Sequence, residues 1–400
     1  MKPGRGQVDP PKIGLEMEQA MIGKERVNQV AGPFELGQLP HSLQVGAALG
    51  IKIAPSGASQ HQRQHDLGEQ HRLQVRLGFD RFGEPRLELG HPGFARLCHP
   101  DAVAKRICVT GASGRAGRAV VRELLEHGYD VAATDVAAAR EGEKWEKLSR
   151  EVGVAILRAD LADYGQAVEA LQGTEAVVHL ANIPAPEICT PAVTFNANTT
   201  MNFNVFMAAA QLALTRVVWA SSETTLGLPF DVPPRYAPVD EDHYPVPTTT
   251  YALSKVASET VAGHIARWSG IPFVALRFSN ILGPADYKDF PSFWADPLER
   301  KWNLWGYIDE RDAAAACRLA LDVPATAVEG SVSFIIAAAD TVMNRPSAHL
   351  LEEVFPGVPV TRELGEFGTL LAIDRARQVL GFEPQHSWRD HVPTDAQTAR

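Results

Sequence analysis

The 400-residue chain is long enough for one large domain or two, each with a substantial hydrophobic core. Its net charge of −10 argues against nucleic acid and anionic membranes as partners, since phosphate binding needs a basic surface. The four cysteines form no C-x-x-C pair, and neither a membrane-length apolar run nor a secretory leader is visible. We therefore expect a soluble cytoplasmic protein without a structural metal.

Residues 1–103 differ in composition from the rest of the chain. They hold 6 of the 13 histidines and 10 of the 16 glutamines. Glycine and proline interrupt their short apolar runs, and no helical or strand periodicity is sustained. We interpret this segment as a poorly ordered N-terminal extension or a mis-assigned start, with translation beginning at Val103. A separate domain or tail with its own role is the alternative.

From Lys105 onward, apolar runs alternate with amphipathic helical stretches. The predicted strands are 107–109, 131–134, 154–157, 176–180, 217–220 and 273–276. The predicted helices are 115–127, 162–171, 194–214 and 250–268. Alternation of this kind builds a doubly wound parallel sheet with helices on both faces. We assign residues 104–283 to this domain.

The remaining part of the chain, 284–395, is less regular. We predict that it forms a smaller substrate-binding lobe. A helix over 311–321 and a strand over 332–337 are expected to return to the sheet.

A glycine-rich turn joins the first predicted strand of this domain to its first helix. Residues 110–117 read Thr-Gly-Ala-Ser-Gly-Arg-Ala-Gly. Gly111 permits a tight turn, Gly114 lets the backbone approach a pyrophosphate, and Gly117 lets the helix pack closely. The helix start adds unpaired N–H groups and a positive dipole end. The predicted dinucleotide contacts here are Gly111, Ser113, Gly114, Arg115, Ala116 and Gly117.

Asp135 ends the second predicted strand, where an acidic residue meets the ribose hydroxyls of the adenosine half of a dinucleotide. A carboxylate there would repel a 2′-phosphate, which favours NAD over NADP. Arg140, five residues later, weakens that preference.

Tyr251 and Lys255 are spaced four residues apart in a predicted helix and so share one face. A nearby ammonium and a cationic nicotinamide both favour the phenolate, which could then take a hydroxyl proton as hydride leaves the substrate. Ser222 follows a predicted strand at the cofactor edge of the sheet, where its hydroxyl could hold the substrate oxygen. These three side chains are the candidate catalytic group.

Several motifs occur together in a family's order: 110–117, His179-Leu180-Ala181, 221–227, Tyr251 with Lys255, 277–284 and 307–309. Over about residues 104–390, the chain resembles the extended short-chain dehydrogenase/reductases, the NAD-dependent epimerase/dehydratase family. The resemblance implies a Rossmann fold, NAD(P) and a triad of Ser222, Tyr251 and Lys255. It also implies that Lys255 holds the nicotinamide ribose.

The same resemblance suggests further contacts, each of which could equally be structural. The additional cofactor contacts are Asp160, Leu161 and Ala181. The candidate substrate contacts are Asn198, Glu223, Arg277 and Asn280. Asn182 and Leu226 depart from the family's usual residues, and we expect neither to disturb the triad. By the same resemblance we expect a homodimer formed through helices 194–214 and 250–268.

The size of the substrate is indicated by the segment after Gly283-Pro284. Only 23 residues, 285–307, precede Ile308, whereas nucleotide-sugar epimerases of the family usually carry a long insertion here. Seven aromatic residues lie in the segment, suited either to a sugar pocket or to a lid with its own core. Its three cations, Lys288, Arg300 and Lys301, are offset by four acids.

These observations predict a dehydrogenase that transfers hydride between NAD and a hydroxyl or hemiacetal carbon of a small sugar, sugar acid or polyol. The uronate dehydrogenases are the nearest mechanistic comparison. A dehydratase is disfavoured because Glu223 is followed by Thr224 rather than standing in an Asp-Glu pair. A nucleotide-sugar 4-epimerase is the alternative, and an NAD(P)-sensing binding protein is a second.

Overall fold

The computed structural model describes residues 74–79, 85–90, 104–136, 149–243 and 245–392. The chain divides into two compact units, Met1–Cys98 and His99–Arg400. In the first, strands β1 (Gln74–Phe79) and β2 (Pro85–Gly90) form an antiparallel pair. No regular element was predicted here, because six residues are too few to establish a sustained period. The other predictions for 1–103 lie outside the described residues.

The second unit is built on a seven-stranded parallel sheet. Its strands are β3 (Arg106–Thr110), β4 (Asp130–Asp135), β5 (Ile156–Arg158), β6 (Ala176–His179), β7 (Arg216–Ser222), β8 (Phe273–Phe278) and, after two short strands, β11 (Ser331–Ile336). They lie in the order β5-β4-β3-β6-β7-β8-β11. The chain order reverses between β3 and β6, which opens a crevice at the carboxyl ends of those strands. This confirms the Rossmann-type fold.

Seven α-helices of this unit have both ends within the described residues. They are α1 (Arg115–Glu126), α2 (Tyr164–Leu171), α3 (Pro191–Gln211), α4 (Thr250–Ser269), α5 (Glu310–Asp322), α6 (Ser347–Val354) and α7 (Asp374–Leu380). Helices α1 and α5 cover one face of the sheet, and α2, α3 and α4 cover the other. None of the helices in the described residues is both long and apolar enough to cross a membrane.

Each face of the sheet has its own core. On one face, Val120 and Leu124 of α1 pack with alanines of α5, whose small side chains let the helices approach closely. On the other, the Phe206 ring meets the rings of Trp219 and Phe273 edge-on, both at 5.2 Å. Burial of each such large apolar side chain contributes about 1.5–3 kcal/mol, which makes the sheet a rigid support for its carboxyl edge.

The C-terminal residues form a third cluster, centred on aromatic rings. Tyr287, Phe290, Trp305 and Tyr307 are fully buried there with Trp388. Most of the aromatic residues of 285–307 therefore build the core of the lobe, as one of the two interpretations expected. Short strands β9 (Ile281–Leu282) and β10 (Ile308–Asp309) pair in parallel at the ends of the segment. The boundary between 283 and 284 stays a prediction.

Candidate active site

The glycine-rich turn lies at the carboxyl end of β3, beside the switch point. Gly111 has a φ of +68°, and a Cβ there would lie 2.8 Å from the Ala181 nitrogen. A Cβ on Gly117 would lie 2.1 Å from the Gly111 carbonyl oxygen, so α1 can pack on this turn only without a side chain. Gly114 and Arg115 are exposed at the start of α1, where the helix leaves its N–H groups unpaired. The turn therefore fits a dinucleotide pyrophosphate.

Asp135 closes this turn from the neighbouring strand. Its carboxylate accepts a hydrogen bond from the Ser113 backbone N–H at 2.9 Å and a second from the Ser113 hydroxyl. The acid is thus held at the end of β4, beside the turn where the ribose hydroxyls were expected. Arg115, predicted as a cofactor contact, forms an ion pair with Asp286 of the C-terminal lobe.

The other predicted cofactor contacts have varied surroundings. Asp160 is exposed and its Oδ1 accepts from the Ala162 N–H at 3.0 Å, while Leu161 is buried in the core. Ala181 follows β6, and its N–H donates to the Thr110 hydroxyl at 3.2 Å. Ala116 lies half-buried in the first turn of α1. Asp160, Leu161 and Ala181 lie in loops that leave the carboxyl edge of the sheet, and the contacts of all four residues with a cofactor stay predictions.

The structure brings Ser222, Tyr251 and Lys255 together. Ser222 ends β7, and Tyr251 and Lys255 lie in the first two turns of α4, whose N-terminus is capped by Thr249. The Ser222 hydroxyl is close enough to Tyr251 to lower the pKa of the phenol, and Lys255 Nζ lies 5.6 Å from the centre of the tyrosine ring. All three are buried. This arrangement can hold a substrate oxygen and exchange one proton with it.

Burial has the largest effect on the pKa values of Tyr251 and Lys255. It raises the pKa of Tyr251 to about 12, although the hydrogen bond from Ser222 acts in the opposite direction. The charge of Glu223 also raises the pKa of Tyr251. Burial lowers the pKa of Lys255 to about 7. Lys255 was expected to lower the pKa of Tyr251, but desolvation is the largest influence on that pKa and raises it.

Lys255 is anchored by two acceptors. Its Nζ donates to Asn182 Oδ1 at 2.6 Å and to the Ala220 carbonyl at 2.8 Å. The Asn182 amide donates in turn to Asn202 Oδ1 at 2.8 Å, and Asn202 Oδ1 also lies 2.9 Å from His179 Nε2. Asn182 departs from the family's usual small residue, and that departure was the signal that could have identified this contact.

Glu223 is a buried acid directly after Ser222, the candidate catalytic serine. Ser279 Oγ donates to its Oε2 at 2.6 Å, and Asn303 Nδ2 donates to its Oε1 at 3.2 Å. Burial raises the pKa of Glu223 to about 7, against these hydrogen bonds and one from the backbone of Asn280. Asn280 therefore supports Glu223 through its main chain, and its carbonyl accepts from the Ile308 N–H at 3.0 Å.

Two predicted substrate contacts have structural partners instead. Arg277 is buried and forms two hydrogen bonds with the Glu259 carboxylate, at 2.8 and 2.9 Å, which tie β8 to α4. Asn198 is fully buried, and its amide both donates to and accepts from the backbone of Ile183. Both side chains satisfy buried groups that would otherwise be unpaired, which is the structural role that the sequence left open for them. Their contact with a substrate stays a prediction.

The model of the NAD dependent epimerase/dehydratase family matches residues 107–335. Tetraketide alpha-pyrone reductase 1 of Arabidopsis thaliana is 28% identical over 214 residues, which are 50% of this chain and 64% of that protein. UDP-glucose 4-epimerase of Lacticaseibacillus casei is 25% identical over 321 residues, 72% of this chain and 94% of that protein. A crystal structure of UDP-galactose 4-epimerase superposes with a TM-score of 0.51 at 26% identity, covering 70% of this chain and 94% of that one.

Proposed function

The chain belongs to the NAD-dependent epimerase/dehydratase family, and from that premise we propose that it is an NAD-dependent dehydrogenase acting on a small sugar, sugar acid or polyol. The observation that carries the proposal is the compact segment between β9 and β10. Its Tyr287, Phe290, Trp305 and Tyr307 are fully buried in the core of the lobe. A segment filled by its own side chains leaves little surface for the base and diphosphate of a nucleotide sugar.

The chain's own residues supply proton transfer and orientation. In the oxidation direction, the Tyr251 oxygen takes the proton of the substrate hydroxyl, while the Ser222 hydroxyl fixes the substrate oxygen beside it. The bound NAD supplies the hydride acceptor. Lys255 would hold the nicotinamide ribose and, when protonated, would add positive charge near the tyrosine. Since burial raises the pKa of Tyr251, a cationic cofactor ring is needed to bring it into the working range.

We propose NAD rather than NADP because the Asp135 carboxylate, fixed by Ser113, would repel a 2′-phosphate. The opposing residue, Arg140, lies outside the described residues. The exclusion of nucleic acid, membranes and metals as partners remains a prediction from composition, as does the cytoplasmic location.

We also propose a homodimer through the outer surfaces of α3 and α4. Val193 and Phe203 of α3 and Leu253 of α4 are about half exposed. An apolar groove between the two helices is lined by Phe195, Thr199, Thr200, Phe203, Ala257, Ser258 and Val261. Apolar side chains grouped in this way on a helix pair suit a four-helix interface between two copies of the chain.

The experiment that tests the function follows NADH at about 340 nm with a panel of free sugars, uronic acids and polyols. A rising signal that Tyr251→Phe abolishes, with NAD binding retained, supports the dehydrogenase. A flat trace with interconversion of UDP-hexoses supports the second candidate, a nucleotide-sugar 4-epimerase, which the similarity to the L. casei enzyme favours. If Tyr251→Phe preserves the cellular phenotype, the NAD(P)-sensing alternative gains support.

A further inference from the structure

Arg300 is a buried cation close to the active site. It is 8% exposed and lies in the 3₁₀ turn Pro297–Asn303. Its guanidinium carbon lies 5.1 Å from the ring centre of Phe293 and 5.1 Å from that of Trp302. One nitrogen, Nη2, donates to the Gly306 carbonyl at 3.3 Å. The Nε atom is fully buried and has no hydrogen-bond partner in the described part of the chain.

The charge of Arg300 is incompletely compensated. Buried cations are normally paired, because desolvation of an unpaired charge is costly. The charge of Glu223 acts on Arg300, but the two side chains form no ion pair. Burial also raises the pKa of Glu223 to about 7, so this acid is only partly ionised at neutral pH. An anionic group of a ligand would complete the compensation.

Asn303 adds a second unused polar atom. Its Nδ2 donates to Glu223 Oε1 at 3.2 Å and to the Gly306 carbonyl at 2.9 Å, which fixes the orientation of the amide. The other amide atom, Oδ1, is fully buried without a donor in the described residues. Arg300 and Asn303 share the Gly306 carbonyl as acceptor, so the unused donor and acceptor belong to one cluster.

The backbone that presents these two side chains is strained. Leu304 and Trp305 have φ values of +54° and +57°, in the left-handed region that non-glycine residues seldom adopt. The conformation is held because Trp305 is fully buried and its indole N–H donates to the Pro297 carbonyl at 2.8 Å. Strain of this kind persists where surrounding packing fixes it, and such positions cluster at ligand sites.

Glu223 connects this cluster to the catalytic group. It is bonded to Asn303 on one side, and on the other it directly follows Ser222 and its charge acts on Tyr251. Arg300 and Asn303 are thus linked through Glu223 to the residues at which a substrate hydroxyl is proposed to lie.

We propose that Arg300 and Asn303 form a subsite for a carboxylate and a neighbouring hydroxyl of the substrate, so that the substrate is a hydroxy acid such as a sugar acid. This inference rests on the proposed dehydrogenase function. The carboxylate accepts from Arg300 Nε, and the hydroxyl donates to Asn303 Oδ1. A monoanionic carboxylate fits better than a dianionic phosphate, because Glu223 lies in the same cluster and would repel the second charge.

The test compares acids with uncharged analogues: glucuronate with glucose, galacturonate with galactose, and short hydroxy acids with their methyl esters. We expect the acids to be the better substrates. Arg300→Met should lower kcat/KM for the acid by about 100-fold and change kcat/KM for the neutral analogue by less than about 3-fold. Arg300→Lys keeps the charge but not the planar donor set, and should give an intermediate loss. Equal use of acids and neutral analogues by the unaltered enzyme would overturn the proposal.

The control is Lys288→Met, which removes an exposed cation from the preceding segment and should change neither value. Thermal unfolding separates binding from a structural role. Replacing a poorly compensated buried charge with an apolar side chain should leave the Tm unchanged or raise it. A lowered Tm with equal losses for acid and neutral substrates would show that Arg300 is structural.

A binding measurement separates failure of this subsite from failure of the dehydrogenase function. Saturation-transfer NMR on the NADH-loaded full-length protein would use glucuronate and galacturonate as probes. Saturable binding of an acid that Arg300→Met removes supports the subsite even if no member of the panel is turned over. The absence of Arg300-dependent binding by either acid, together with none by the short hydroxy acids, would overturn it.

Discussion

Lys255 Nζ and Asn182 Oδ1 lie 2.6 Å apart, so the candidate catalytic lysine is positioned by a side chain from the loop after β6. The direction of each hydrogen bond in the adjoining network, which runs through Thr110, His179 and Asn202, follows from its neighbours. The Thr110 hydroxyl accepts from two backbone N–H groups, those of Leu180 and Ala181, and so donates to His179 Nδ1. Burial lowers the pKa of His179 to about 3, so the ring is neutral and its Nε2–H donates to Asn202.

Replacement of Asn182 by alanine should misplace Lys255. The substitution removes one acceptor of the ammonium and one donor to Asn202. We expect kcat/KM to fall by about tenfold, the effect of one hydrogen bond to a charged group. We also expect the acidic limb of the pH profile to move upward, because Lys255 would assist ionisation of Tyr251 less well.

The matched control for this prediction is Asn204→Ala. Asn204 bonds the carbonyls of Leu161 and Ala162, both at 2.9 Å, away from Lys255. This variant should lose stability without a change in the pH profile. If Asn182→Ala also lowers the Tm and leaves the pH profile in place, Asn182 has only a structural role.

Gly117→Ala should abolish cofactor binding. The new Cβ would lie 2.1 Å from the Gly111 carbonyl oxygen, so the turn or the start of α1 must move. We expect a loss of about 2 kcal/mol of stability and no saturable NAD titration. The control is Gly263→Ala in α4, where the added Cβ meets no described atom within 4 Å beyond the adjacent backbone of its own helix. That change should stabilise the protein by about 0.5–1 kcal/mol. Normal NAD affinity in Gly117→Ala would contradict the assigned role of the turn.

Asp135→Asn should shift cofactor preference toward NADP. The amide removes the charge that would repel a 2′-phosphate and weakens the bond with Ser113. We expect the ratio of the Kd for NADP to the Kd for NAD to fall by about tenfold or more, measured by fluorescence titration. Asp163→Asn, at the N-terminus of α2, makes the same charge change and should leave the ratio as it is. An unchanged ratio in Asp135→Asn would remove Asp135 from the specificity determinants.

Glu223→Gln should change how stability depends on pH. The folded-state pKa is about 7, above the unfolded value of 4.5, so the native state binds more protons between those values. Stability from this group is therefore present below about pH 4.5 and is lost as the pH rises through about 7. We compare the unfolding free energy of Glu223→Gln with that of the unaltered chain. The advantage of the variant should be larger at pH 8 than at pH 4, by up to about 3 kcal/mol. A difference that is the same at both pH values, measured by urea denaturation, would contradict this.

The proposed dimer should separate when its apolar surface is charged. Light scattering is expected to give a dimer for the unaltered chain and a monomer for Phe203→Glu combined with Leu253→Glu. Val232→Glu places the same charge on an exposed apolar residue outside α3 and α4 and should leave the dimer intact. A monomeric unaltered chain would overturn the proposal.

The amino-acid sequence determined the doubly wound sheet, the glycine turn and the grouping of Tyr251 with Lys255, because these follow from local spacing. Apolar periodicity, the glycine positions and an i, i+4 pair all act within one or two neighbouring elements. The antiparallel strands within 74–90 were missed because each has only six residues, too few to establish an alternating apolar pattern. The glycine and Tyr-Lys signals also occur in the order of the family's motifs, which strengthened each of them.

The partners of the buried polar groups were decided only by the tertiary structure. Arg277 and Asn198 were expected at the substrate, yet Glu259 and the Ile183 backbone satisfy them. Lys255 meets Asn182 across 73 residues, and Glu223 meets Asn303 across 80. Such contacts depend on which strand ends and loops converge at one edge of the sheet, and burial at that edge sets the pKa values. Neither the convergence of these strand ends and loops nor the burial at that edge is encoded in the spacing of residues along the chain.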